Sequence, residues 1–147
     1  MKERTELGKI THKINALAII LDYHANEILK KHYGIGYTEF LTLVGLHYLP
    51  NPSQKDLVQF TLLSKSMVSK TIKRMENMGL VSKFPNPADN RNDIVSFTES
   101  GRKLMALASE QLERIFLENV YKIKGIDLVE FEKGLDVLLK NLAEWKN

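Results

Sequence analysis

Apolar residues recur at helical spacing along most of this chain and predict a mainly helical protein. In the first part of the chain they predict a long helix of roughly seven turns that ends near residues 32–36. A second helix is predicted to begin at a cap on Thr38 and to end at Tyr48, before the proline-rich break at residues 50–52. The residues expected on its core side are Phe40, Leu41, Val44 and Leu49.

Two shorter helices are predicted next, joined by a short turn. Ser53 followed by Asp56 forms a capping-box start for the first of them, and Ser64 suits the cap of the second. Gly79 suits the position just past the end of the second helix. The residues that form its buried stripe, at i, i+4 and i+7, are Val68, Ile72 and Met75.

The opposite side of that second helix is polar and basic. It carries hydroxyl and ammonium groups at i, i+3, i+4 and i+7 and no acid, on Ser66, Ser69, Lys70 and Lys73. Two helices joined by a turn, the second with a basic outer face rich in hydrogen-bond donors, predict a helix-turn-helix with a recognition helix.

Two short β-prone runs follow, at residues 80–84 and 94–97. The segment between them, residues 85–93, is rich in turn formers and predicts a long polar tip. A hairpin directly after a recognition helix is a wing. Arg91 in its tip is placed to enter a DNA minor groove, where negative potential attracts a guanidinium group.

Two more helices are predicted at the end of the chain. Thr98 suits the cap of a long helix that Gly125 interrupts, and Asp127 suits the cap of a final helix. Their apolar positions include Leu104, Leu107, Leu112, Ile115 and Leu117 in the first and Phe131, Leu135, Leu138, Leu142 and Trp145 in the second.

The two ends of the chain hold more apolar helix than a small winged-helix core needs to cover itself. A two-fold dimer is therefore expected, with the first and last helices of two chains interleaved. The alternative is that these helices only close the core of a monomer. The residues assigned to the dimer interface are Leu7, Ile10, Ile14, Leu138, Leu142 and Trp145.

Three segments resemble the MarR (multiple-antibiotic-resistance regulator) family of transcriptional regulators. They are R-M-E-N-M-G-L-V at residues 74–81, D-N-R at residues 89–91 and F-T-E-S-G-R at residues 97–102. Each motif alone is a weak signal, whereas their order and spacing together are specific. The resemblance covers essentially the whole chain, because helices flank the wing and recognition helix in the expected order.

The resemblance implies a single MarR-like domain over residues 1–147, mainly α with a small β-wing (α+β). Residues 38–98 would form the winged helix-turn-helix, flanked by dimerisation helices in residues 1–36 and 99–147. It further implies a homodimeric transcriptional regulator, more often a repressor, that binds a pseudo-palindromic operator in double-stranded DNA.

Composition bears on size and compartment. With 147 residues, 44% of them hydrophobic, the chain is long enough for one domain with its own core. It contains no cysteine, which excludes a disulfide and a thiolate metal site. The N-terminal region lacks a signal-type apolar run, and the run at residues 16–21 is too short to span a bilayer. A cytoplasmic protein is expected.

Positive charge is concentrated in the recognition helix and wing. The formal net charge is +3, yet residues 64–91 alone carry six Lys and Arg against two acids, a net +4. Such a concentration is typical of a DNA-binding surface. The alternative is a winged-helix module whose basic face binds an acidic protein partner instead of DNA.

The position of each residue on this surface predicts which part of the DNA it contacts. The N-terminus of the recognition helix suits phosphate, its outer face suits base edges in the major groove, and the wing suits the minor groove. The outer face offers no Asn, Gln or Arg for bidentate base contacts. The assigned residues are Ser64 and Lys65 for phosphate, Ser66, Ser69, Lys70 and Lys73 for base edges, Arg91 for the minor groove, and Asp89 to orient Arg91 or to pair with Arg74.

Five residues of the first two helices are candidates for a small aromatic effector. The MarR resemblance implies such a site, because relatives often bind aromatic anions between the dimer region and the DNA-reading part. The alternative is that the tyrosines are ordinary packing residues. The five are Tyr23, His24, Tyr37, His47 and Tyr48.

Neither a cofactor, a metal site nor a catalytic centre is expected. His24 and Glu27 share a helix face but supply two ligands where zinc needs three or four. The sequence shows neither a nucleophile–base pairing nor a glycine-rich phosphate loop, so an enzyme is not expected.

Overall fold

The computed structural model of the chain describes the backbone of residues 2–144 and the side chains of residues 8–144. It confirms the predicted fold class, mainly helical with one two-stranded antiparallel sheet. The elements are α1 (Lys2–Tyr33), α2 (Tyr37–Tyr48), α3 (Gln54–Thr61), α4 (Lys65–Asn77), β1 (Val81–Asn86), β2 (Asp89–Phe97), α5 (Glu99–Val120) and α6 (Leu128–Leu142).

The chain forms two compact units, Met1–Leu112 and Glu113–Asn147. The first unit contains a continuous apolar core to which α1 to α5 and the base of the hairpin all contribute. Its fully buried members include Leu29, Leu43, Leu57, Val68, Ile72, Met75 and Val95. In the second unit, α6 has no buried residue.

Most predicted helix ends are confirmed. Ser53 accepts a hydrogen bond from the Asp56 amide (3.2 Å), and the Asp56 carboxylate accepts one from the Ser53 amide (2.8 Å), which closes the capping box of α3. The Ser64 hydroxyl accepts from the Met67 amide at the start of α4. Gly79 follows α4 with a φ of +71°, which a glycine adopts without strain.

The later caps are confirmed as well. The Thr98 hydroxyl accepts from the Gly101 amide at the start of α5 (3.1 Å). The Asp127 carboxylate accepts from the amides of Val129 and Glu130 at the start of α6 (3.1 and 3.2 Å).

The predicted cap of α2 is wrong. Gly36, not Thr38, is the N-cap, and the Glu39 carboxylate reaches back to accept from the Gly36 amide (3.1 Å). Thr38 lies inside the first turn and donates its hydroxyl to the same carboxylate (3.0 Å). A Cβ at position 36 would lie 2.8 Å from that carboxylate, so a glycine permits the close approach.

The predicted core side of α2 is only partly confirmed. Phe40 and Leu49 are half-buried and pack against the core, and Leu41 and Val44 are also only partly buried. The buried stripe instead comprises Glu39, Thr42, Leu43, Gly45 and Leu46. Because this stripe contains two polar residues, Glu39 and Thr42, apolar spacing alone predicts the neighbouring face.

The wing is longer and its tip shorter than the sequence predicts. Both strands extend into the predicted tip, leaving only Pro87 and Ala88 as the turn. Pro85 pairs with Asp93 and Asn86 pairs with Asp89, so residues 90–92 bulge out of β2. The tip is therefore an ordered ribbon with a bulge, because local β-pairing prevails over the turn propensity of its Asn and Asp residues.

Two residues assigned to the dimer interface, Leu7 and Trp145, lie outside the described side chains. The other four, Ile10, Ile14, Leu138 and Leu142, are all exposed on the described chain.

One ion pair joins α2 to α4. The Arg74 guanidinium donates to the Glu39 carboxylate, which is buried, while the arginine side chain is 67% exposed. Burial acts to raise the pKa of Glu39, but hydrogen bonds from the backbone and Thr38, together with Arg74, outweigh it and lower the pKa below its ordinary value. Glu39 is therefore an anion at neutral pH, held between the two helices.

Removing the arginine should destabilise the domain. Arg74→Ala leaves the buried Glu39 charge without its cation, and we expect a loss of about 2–3 kcal/mol in the free energy of unfolding, between the values for exposed and buried pairs. The measurement is denaturant unfolding at pH 7. Arg102→Ala is the matched control, because Arg102 pairs with Glu99 where both side chains are exposed. Equal losses in the two variants would contradict a structural role for the Glu39 pair.

Candidate nucleic-acid interface

The outer face of α4 is presented as the sequence predicts. Val68, Ile72 and Met75 are fully buried and fix the rotation of the helix about its axis. The predicted reading residues, Ser66, Ser69, Lys70 and Lys73, are all exposed. Among the described residues, no acid forms an ion pair with Lys65, Lys70 or Lys73. Their charges are available to a partner.

Arg74 lies beside this face but is engaged within the chain. Its ion pair is with Glu39 of α2, so the expected pairing of Asp89 with Arg74 is wrong. No local spacing indicates this contact, because the two residues lie 35 positions apart. A Glu three residues after a helix N-cap can accept from the N-cap amide, as Glu39 does from Gly36, and this spacing was the local signal that could have identified its role.

Asp89 instead organises the bulge that carries Arg91. One carboxylate oxygen accepts from the Arg91 amide (2.9 Å) and the other from the Asn92 side-chain amide (2.9 Å). The Asn92 and Arg91 hydrogen bonds lower the pKa of the Asp89 carboxyl below its ordinary value. Asp89 thus holds the backbone of Arg91. Among the described residues no acid pairs with the Arg91 guanidinium, which is exposed.

A cavity of about 550 Å³ opens between α3, the start of α4 and the wing. Its wall carries one acid, Asp93, and four cations, Lys55, Lys65, Lys83 and Arg91. Lys83 lies 3.5 Å from the Glu76 carboxylate, a contact in which both side chains are about one-third exposed. Lys55 and Lys83 were not assigned to the interface from sequence. Only the fold brings α3 and β1 to the same cleft.

The five candidate effector residues do not line this cavity. Tyr23 (60% exposed) and His24 lie in an edge-to-face contact on α1, and His47 and Tyr48 (69% exposed) do so at the end of α2. Tyr37 begins α2, and Tyr48 ends it, so they are separated by about 16 Å along the helix axis. The described chain thus places the five residues in two groups.

Tyr37 belongs with the α1 group. Its amide donates to the Asn26 side chain (3.1 Å), and burial and the neighbouring Asp22 carboxylate raise the pKa of its hydroxyl. Tyr48 has a different neighbour, the ring of Phe60 on α3, which stacks on it with centroids 6.4 Å apart.

In the part of the chain that the structure describes, no group of three or more His, Asp or Glu side chains is placed to hold a metal ion. None of the described helices is both long and apolar enough to cross a membrane.

A helix-turn-helix with an exposed basic second helix, followed directly by a two-stranded hairpin, defines a winged-helix protein. Residues 35–92, which contain the helix-turn-helix and most of the wing, match the sequence profile of the MarR family. This match confirms the resemblance to the MarR family of transcriptional regulators that was inferred from the sequence.

One curated relative is the HTH-type transcriptional regulator YdgJ of Bacillus subtilis (strain 168), itself uncharacterised. It is 29% identical over 92 residues, which cover 63% of this chain and 56% of YdgJ. The chain therefore matches little more than half the length of this relative. Its name, like the family, denotes a regulator and agrees with the prediction that the chain is not an enzyme.

Two solved structures show the same fold. The transcriptional regulator BldR from Sulfolobus solfataricus superposes with a TM-score of 0.84 at 23% identity, covering 96% of this chain and 99% of BldR. Sco3205, a MarR family regulator from Streptomyces coelicolor in complex with DNA, has a TM-score of 0.80 at 20% identity, covering 95% of this chain and 87% of Sco3205.

Proposed function

We propose that this chain is a dimeric, cytoplasmic DNA-binding regulator that represses transcription by occupying a pseudo-palindromic operator. The observation that carries the proposal is the exposed outer face of α4, with unpaired lysines, beside a wing whose arginine is also unpaired within the described chain. The DNA complex of the structurally similar Sco3205 supports it.

In this proposal the exposed residues of α4 and Arg91 of the wing contact different parts of the DNA. Ser64 and Lys65, at the N-terminus of α4, contact phosphate, where the helix dipole favours negative charge. The outer-face residues contact base edges in the major groove, and Arg91 enters the adjacent minor groove. Because serines and lysines read bases less selectively than Asn, Gln or Arg, the wing and DNA shape contribute part of the specificity. The outer-face residues are Ser66, Ser69, Lys70 and Lys73, with Arg74 at their edge.

The rival function is binding of an acidic protein partner by the same basic face. Salt titration on random duplex DNA separates the two. Phosphate contacts release counterions when the protein binds. The logarithm of the DNA-binding constant must therefore fall steeply and linearly with the logarithm of the salt concentration. A chain that shows no salt-dependent DNA binding would favour the protein partner.

Replacing the wing arginine should weaken DNA binding without unfolding the domain. Arg91 is exposed and far from the core, so we expect Arg91→Ala to change the free energy of unfolding by less than about 0.5 kcal/mol. Loss of its groove contact should reduce affinity about 5- to 150-fold, as for a contact worth about 1–3 kcal/mol. Fluorescence anisotropy with a duplex selected from random DNA measures this, and Lys103→Ala on α5 is the control. Equal affinities of the two variants at physiological salt would remove the minor-groove role.

We infer that the helices at both chain ends, within residues 1–36 and 99–147, form the dimer. The support is apolar surface that the described chain leaves uncovered, such as Ile10 and Ile14 on α1 and Leu138 (43% exposed) and Leu142 (55%) on α6. A two-fold dimer would present two α4 helices to half-sites about 34 Å apart.

A single charge on the apolar face of α6 tests the dimer. Leu138→Glu adds a carboxylate where the interface is proposed, and we expect a monomer that binds a full operator at least tenfold more weakly. Sedimentation velocity reports the assembly and anisotropy reports the binding. Lys140→Glu places the same side chain on the other side of α6 and should leave a dimer. A Leu138→Glu protein that sediments as a folded dimer would refute this interface.

We further propose that a small aromatic ligand relieves operator binding. The exposed aromatic groups around Tyr23 and around Tyr48 support a ligand site, because aromatic rings with nearby polar tips suit such ligands. Since the described chain places these groups apart, the ligand need contact only one of them. It can act only by binding the DNA-incompetent arrangement better than the competent one.

A thermal-shift screen of aromatic acids and phenols, followed by operator titration with each hit, tests the effector. A coupling of about 1–3 kcal/mol would weaken operator binding 5- to 150-fold. Tyr23→Ala and Tyr48→Ala assign the group that binds, since only one variant should lose the thermal shift. Hits that stabilise the protein but leave operator affinity unchanged would show that the site is not a switch.

A further inference from the structure

The cleft between α3, α4 and the wing is lined by more positive charge than a folding role requires. Four cations and one acid share its wall. Among the described residues, Lys55, Lys65 and Arg91 have no ion-pair partner, and only Lys83 lies near a carboxylate. Like charges brought together without counterions destabilise a fold slightly, so their convergence indicates an anionic ligand.

The position of the cleft identifies the anion, given the proposed DNA-binding function on which this inference rests. In B-form DNA one sugar–phosphate strand separates a major groove from the adjacent minor groove. With α4 in the major groove and Arg91 in the minor groove, that strand must cross the surface between them. The cleft is that surface, because Lys65 of α4 and Arg91 of the wing both line it.

We propose that the cleft seats the phosphodiester strand between the two grooves, and that Lys55 of α3 is a phosphate contact. Lys55 and Lys65 approach the strand from the helices, while Arg91 and Lys83 approach it from the wing. Backbone bonding fixes the spacing of the two sides, since the Val95 amide of β2 donates to the Pro52 carbonyl just before α3 (2.9 Å). The spacing between α3 and the wing is therefore set within the protein, before DNA binds.

The first test is the salt dependence of DNA affinity from about 50 to 200 mM salt, measured with the full chain and a duplex selected from random DNA. Each phosphate contact contributes about 0.9 to the logarithmic slope. We expect Lys55→Ala to lower the slope by about 0.9 per bound chain and to weaken binding about fivefold at 0.15 M salt. Lys55→Arg, which keeps the charge, should retain the wild-type slope.

Lys103→Ala is the matched control, because Lys103 is an exposed lysine of α5 with no ion pair among the described residues. It should leave slope and affinity unchanged. A Lys55→Ala slope equal to that of Lys103→Ala would overturn the phosphate seat, while the steep wild-type slope would leave the proposed DNA-binding function intact. Absence of salt-dependent binding in the wild type would instead reject the proposed function itself.

The second test locates the phosphate. Neutral methylphosphonate groups are introduced one at a time along the duplex, and affinity is measured for wild type and Lys55→Ala. We expect one position, between the major and minor groove sites of a half-site, where the replacement weakens wild type but not the variant. Equal effects in both proteins at every position would overturn the assignment.

The cations of the cleft could also bind a free anion, such as inorganic phosphate, instead of a DNA phosphate. Inorganic phosphate is titrated at constant ionic strength and followed by amide chemical shifts of wild type and Lys55→Ala. If the cleft seats a DNA strand, we expect no saturable binding of inorganic phosphate. Saturable binding by wild type alone, together with equal DNA slopes for the two proteins, would assign the cleft to a free anion and overturn the proposal.

Discussion

The buried carboxylate of Glu39 is the constraint on which the orientation of the outer face of α4 depends. It accepts hydrogen bonds from the Gly36 amide and the Thr38 hydroxyl and also binds the Arg74 guanidinium. One side chain therefore caps the N-terminus of α2 and joins this helix to α4. A buried charge is tolerated only when its hydrogen-bonding capacity is filled. Any rotation of α4 that separated Arg74 from Glu39 would leave that charge unpaired, and the outer face of α4 is oriented accordingly.

A second constraint holds the wing to the end of α4. The Thr98 hydroxyl donates to the Gly79 carbonyl (2.6 Å) and accepts from the Gly101 amide, and the Thr98 amide donates to the Leu80 carbonyl (3.0 Å). A Cβ at position 101 would lie 2.0 Å from that same Leu80 carbonyl oxygen, so α5 can approach this closely only through a glycine. The root of the hairpin is thereby fixed between α4 and α5, while its tip carries Arg91 into solvent.

Sequence reasoning identified the elements whose signals are local. The caps at Ser53, Ser64, Thr98 and Asp127 and the buried stripe of α4 depend on residues within one or two turns, and the structure confirms them. It missed the buried stripe of α2, because an ion pair with a distant arginine places Glu39 in the core. It also missed Lys55 as a cleft residue, because the convergence of α3 with β2 is a tertiary contact that no spacing along the chain encodes.

Arg74 shows why an arginine suits a position between the core and the proposed DNA interface. A guanidinium group has five N–H donors in a rigid plane, whereas a lysine offers one compact charge. One nitrogen of Arg74, Nη1, contacts Glu39, and most of the side chain remains exposed. The remaining donors can therefore face a phosphate while the pair to Glu39 persists. A lysine at this position would have to divide a single ammonium group between the buried carboxylate and the DNA, and binding would then compete with the contact that orients α4.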